Sequence, residues 1–123
     1  MSTTATKYNV AAARGTAYWD FAETDATARE VKASSGTLLL AVGDNQVNTS
    51  EDQHHCFYDA AAPVIGTDAP EVILYLPAGE AVTFIPLIGI AFSTAIMSAL
   101  KTEAGTGGTS SPTDPVNTKV YYT

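Results

Sequence analysis

The chain has one cysteine, Cys56, so no disulfide can form within it, and a metal site of clustered thiolates is excluded. Charge is also scarce. Asp, Glu, Lys and Arg make up 15% of the 123 residues, against roughly 25% in an ordinary domain. Basic residues are the scarcer sign, with 6 Lys and Arg against 13 Asp and Glu and a net charge of −7. An acidic body repels phosphate backbones, so nucleic acid is not an expected partner. No apolar run approaches the roughly 18 residues that a membrane-spanning helix needs. The opening "MSTTATKYNVAAARG" lacks the apolar centre of a secretory signal, and the expectation is synthesis in a reducing cytoplasm.

Groups that do chemistry are few as well. The two histidines, His54 and His55, are adjacent rather than dispersed, and no G-x-S-x-G elbow surrounds any serine. "HHC" at 54–56 is the one cluster of borderline metal ligands. Zinc normally takes four ligands, and no second pair is visible. Asp44, Glu51, Asp52, Asp59 and Asp68 offer oxygens for calcium, but without the D-x-D-x-D-G spacing, and solvated loop acids are the plainer reading. "GTGG" at 105–108 lacks the lysine of a phosphate loop. The expectation is therefore a protein with no catalytic residues, no cofactor and no metal.

What remains is apolar and small. Hydrophobic residues reach 46%, too many for a disordered chain, and the length is enough for one domain with a core. A surface of Ala, Thr, Ser and Gly suits close packing against other subunits. The charge is divided unevenly. Residues 1–34 balance Lys7, Arg14, Arg29 and Lys32 against Asp20, Glu23, Asp25 and Glu30, so the whole net charge falls on residues 35–123.

Short apolar runs alternate with turn residues. "GTLLLAVGDNQ" (36–46) reads as a strand ending in a turn, and "HHCFYDA" (54–60) as a second extended run. "AAPVIGTDAPE" (61–71) holds Pro63, Gly66 and Pro70 and cannot be a regular helix. "VILYLPAGEAVTF" (72–84) reads as a β-hairpin turning at Pro77-Ala78-Gly79, with Gly79 at positive φ. "GIAFSTAIMSALKTE" (89–103) fits a helix or a strand by period, and strand is preferred because Ile, Phe and Thr suit a pleated surface. A Gly/Ser/Thr/Pro loop (103–117) and a closing strand "TKVYYT" (118–123) follow. Strands at this spacing predict an all-β, antiparallel β-sandwich, jelly-roll-like, over residues 35–123. Residues 1–34 predict an N-terminal arm, with Tyr18, Trp19 and Phe21 as the aromatic anchors of an interface.

"SSGTLLLAVGDN", "FYDAAAPVIGTDAPEVILYLPAGEAVTF", "GIAFSTAIMSAL" and "GTSSPTDPV", in this order, resemble small virion structural proteins of tailed bacteriophages, including phages of cyanobacteria and marine bacteria. The resemblance covers roughly residues 34–123 and leaves the first 33 outside it. It implies a β-sandwich that decorates and reinforces the outer capsid surface, a cement protein, and it implies no catalytic residues. The partners implied are the major capsid protein and further copies of the chain, with a homotrimer expected by analogy with other cement proteins. A tail-fibre, baseplate or host-receptor module is the alternative, with the loop 103–117 carrying recognition. A cytoplasmic carbohydrate- or metal-binding sandwich is a third class.

Overall fold

The computed structural model describes residues 17–123, and the regular structure among them is all strand. In chain order the strands are β1 (Ala17–Glu23), β2 (Arg29–Lys32), β3 (Gly36–Asp44), β4 (Gln53–Tyr58), β5 (Val72–Leu76), β6 (Ala81–Phe84), β7 (Ile90–Phe92), β8 (Ile96–Lys101) and β9 (Val116–Tyr122). One sheet runs β1-β9-β3-β6, with β7 also paired to β3, and the other runs β2-β8-β4-β5. Every pairing is antiparallel. The two sheets pack face to face as a β-sandwich.

The pairing pattern is a ribbon folded on itself. β1 meets β9, β2 meets β8, β3 meets β6 and β7, and β4 meets β5. Taken as one interrupted strand, β6 and β7 reduce the set to eight positions in the order of a jelly roll. Rolling the ribbon sends alternate pairs into opposite sheets. Most connections therefore cross from one sheet to the other, and strands adjacent in sequence are mostly not hydrogen-bonded.

Strand periodicity explains which residues fill the middle. Val31, Leu38, Ala41, Phe57, Leu74, Phe92, Ile96 and Val120 form the main core between the sheets. Leu76, Leu100 and Val116 close one end. In β3, a register shift between Leu38 and Leu40 inserts one extra residue. The bulge lets the apolar run "LLLAV" supply both faces: Leu38 and Ala41 go to the main core, while Leu39 and Leu40 join Tyr121 in a separate cluster. β8 is buried along its whole length. Its outward Met97 and Ala99 lie with Cys56, Tyr58 and Ala95 under Ile65 from the β4–β5 connection.

Two sequence expectations are corrected. The N-terminal arm does not end at residue 34, because β1 pairs along its whole length with β9 and β2 pairs with β8. The composition of this segment misled because edge strands need only one apolar face. In "AYWDFAE", Trp19, Phe21 and Glu23 share that face, and Trp19 packs on the main core. Residues 1–16 lie outside the described residues. The second correction concerns 72–84, which is not a hairpin. β5 pairs with β4 in one sheet and β6 with β3 in the other. The turn at 77–80 carries the chain between sheets, with Gly79 at φ 76°, a conformation that glycine adopts without steric cost. The stretch 89–103 is strand, as preferred, but broken into β7 and β8 on opposite sheets.

Candidate functional site

Of the three expected anchors, Trp19 and Phe21 are half-buried and stack on each other with ring centroids 5.6 Å apart. The Arg29 guanidinium lies 5.0 Å from the centre of the Phe21 ring. Both aromatics thus have intramolecular neighbours. Tyr18 pairs through its backbone with Tyr121, and its side chain lies outside what is described.

The "HHC" cluster is split by strand alternation. His55 points into the sandwich, fully buried, while His54 and Cys56 share the opposite face of β4. His54 Nδ1 lies 3.1 Å from the Thr102 carbonyl, and its ring is 5.4 Å from that of Tyr75. Burial pushes the Cys56 thiol up from its ordinary range. Among the described residues, no three His, Cys, Asp or Glu side chains come together to hold an ion.

The loop acids have specific work, and it is structural. Asp59, just after β4, accepts from the backbone N–H groups of Ser93, Thr94 and Ala95 at 2.9, 2.7 and 3.3 Å, and from the Ser93 hydroxyl. These donors hold its carboxyl below the usual carboxylate range. They also fix the point where the chain leaves β7 for β8, so the motifs "YDAA" and "FST" meet in space. Asp52 accepts from Ala78 N–H and Tyr75 O–H. Glu51 accepts from Thr113 and from Gln53. Asp44 accepts from Gln46 N–H, and Asp68 from Val64 N–H.

The loop between β8 and β9 is tied down in the same way. The Lys101 ammonium is buried and donates to the carbonyls of Thr106 and Gly107 at 3.0 and 2.7 Å. Ser110 N–H donates to Glu103, and Asp114 N–H to Asn48. Asn48 in turn donates to Asn45, whose amide reaches the Leu76 and Pro77 carbonyls. A surface cleft of about 240 Å³ lies between residues 47–51 and Thr113–Asp114. The polar groups of Asn48 and Glu51 facing it are already engaged in these bonds.

One constellation was not legible as such in the sequence. Glu23 from β1, Ser98 from β8 and His55 from β4 meet between the sheets, each with no exposed surface. Ser98 Oγ lies 3.1 Å from Glu23 Oε2 and 2.5 Å from His55 Nε2. Arg29 Nε stands 4.0 Å from Glu23 Oε1, and its NH2 group bonds Asp25 at 3.0 Å. The residue types suggest a nucleophilic triad, but the order is wrong. A triad places the imidazole between hydroxyl and acid so that it can take the hydroxyl proton. Here the hydroxyl is in the middle, and no substrate can reach it.

Burial, opposed by the Ser98 hydrogen bond and the Arg29 charge, pushes the Glu23 carboxyl up to about 7. Burial alone pushes His55 down to about 3, so it stays neutral. With Glu23 protonated, its O–H donates to Ser98, and Ser98 donates to His55 Nε2. With Glu23 ionised, Ser98 donates to the carboxylate, and the other His55 tautomer donates to Ser98. The signal in the sequence was an acid at the inward parity of an edge strand.

Large hydrophobics are exposed at Val47, Val64, Ile73 and Tyr75, and as a group in one connection. The β6–β7 connection carries Ile85, Leu87 and Ile88 at 61, 92 and 88% exposure. No family model, curated protein or solved structure matches the chain.

Proposed function

We propose that the chain is a structural protein of a tailed-phage virion that attaches to the outer capsid surface and reinforces it. The observation that carries the reading is a division of labour on the surface. The loop carboxylates Glu51, Asp52 and Asp59 are spent on holding the fold, while the aliphatic Ile85, Leu87 and Ile88 stand out from it. Such a surface offers contact rather than chemistry, and the protein acts as a binding module and not as an enzyme. The jelly-roll strand order supports this by analogy, since the same order recurs in viral capsid domains. So does the order of sequence motifs resembling virion proteins.

The mechanism is additive contact. A protein that bridges neighbouring capsid subunits must be released before they separate, and binding to the assembled state stabilises it by mass action. A homotrimer on a capsid symmetry axis would repeat each contact and gain avidity. Adding purified protein to capsids that lack it tests the reading: saturable binding and a higher capsid disruption temperature are expected. Binding confined to tails would favour the fibre or receptor alternative.

A further inference from the structure

We propose that copies of this chain contact one another through the β6–β7 edge, with the Ile85–Ile88 connection packed against its equivalent in the neighbouring copy. The inference rests on the assembly of like chains proposed above and names the surface that makes it. Among the described residues, β6 and β7 each pair only with β3, and no strand pairs with the outer side of this edge. Exposed edges are commonly blunted with charge to prevent pairing. β2 carries Arg29, Glu30 and Lys32. Beside β5, Glu71 precedes the strand and Asp52 bonds Tyr75. The β6–β7 edge has less protection: Glu80 directly precedes β6, as Glu71 precedes β5, but no ionisable side chain occurs from Ala81 to Leu100.

Charge decides which occupant fits. The chain carries −7 overall, so a basic partner would be drawn to the acidic surfaces and not to this neutral one. A second acidic copy is repelled everywhere except where charge is absent. The neutral edge therefore suits self-contact. Three aliphatic side chains alone do not supply the roughly 800 Å² per partner of a standard interface. The contact must extend along the exposed, uncharged Ala81, Thr83 and Ala91.

The test is sedimentation velocity of the full chain across a concentration series at low and high sodium chloride. The expected result is reversible oligomers that tighten with salt, because salt screens the repulsion between acidic bodies and leaves the apolar contact intact. Leu87→Asp with Ile88→Asp is expected to weaken assembly by roughly tenfold or more. Its melting temperature should stay unchanged in dilute solution, since both side chains are almost fully exposed. Val64→Asp, at an exposed position away from this edge, should assemble like the parent. Oligomers unaffected by the Asp pair would overturn the assigned surface while leaving assembly standing. A parent chain that is monomeric at every concentration would overturn both. A loop that binds capsids but never another copy would overturn the assigned surface alone.

Discussion

Asp59 and Ser93 are 34 positions apart in sequence, yet one carboxylate oxygen of Asp59 accepts from both the backbone N–H and the hydroxyl of Ser93. The bond joins the end of β4 to the crossing between β7 and β8. Asp59→Ala should therefore lower the melting temperature by several degrees at neutral pH. Asp59 sits below the usual carboxylate range when folded, so its contribution is present above that range and lost as pH falls through the lowered value. The gap between parent and variant should narrow in acid. A gap that persists unchanged on acidification would show that charge on Asp59 is not what holds the crossing.

The buried Glu23 makes the opposite prediction. Its folded value of about 7 lies above the ordinary 4.5, so its contribution is present below about 4.5 and is lost as pH rises through 7. Across that window the loss is on the order of 3 kcal/mol. Glu23→Gln keeps the shape and removes the titration. Its melting temperature relative to the parent should rise as pH goes from 4.5 to about 7 and level off above that. His55 acts on the acid side, with stability lost as pH falls below 6.5 toward about 3. A parent and a Gln variant with parallel pH profiles would remove Glu23 from this role.

The first strands should behave as part of the fold. Deleting residues 1–33 removes β1 and β2 from both sheets and should abolish cooperative unfolding. Trp19→Ala should cost about 2 kcal/mol, less than for a fully buried Trp because the side chain is only half-buried. Circular dichroism melts check both. A truncated chain that still melts cooperatively would restore the arm.

The turn between β5 and β6 gives a narrower test. A Cβ on Gly79 would meet only the Thr49 Cα, at 3.9 Å, so the cost of Gly79→Val is the positive φ alone, about 1 kcal/mol. At Gly43 a Cβ would stand 2.5 Å from Leu76 Cδ1, so Gly43→Val should destabilise more. Equal melting temperatures for the two variants would contradict this ordering.

These residues also mark how much of the fold the sequence made visible. The strand over 36–44, the extended run at 54–58 and the turn at Gly79 were legible because alternation and turn chemistry are local signals. Pairing was not. β5 and β6 look like a hairpin because only four residues separate them, but rolling the ribbon places them in different sheets. The same long-range order hid the meeting of Glu23, Ser98 and His55, drawn from three strands far apart in sequence. Trp19 and Phe21 were visible as apolar side chains, and Trp19 packs on the core of its own sandwich.

The claim that this chain is an attachment protein is tested most directly by imaging. On the proposed function, electron cryomicroscopy of tailed-phage virions carrying this chain, averaged on the capsid symmetry, should show the jelly roll repeated over the whole outer head surface. Each copy should contact more than one capsid subunit, with the Ile85–Ile88 loops of neighbouring copies together. Virions whose heads lack this density, or which carry it only on the tail, would contradict the account.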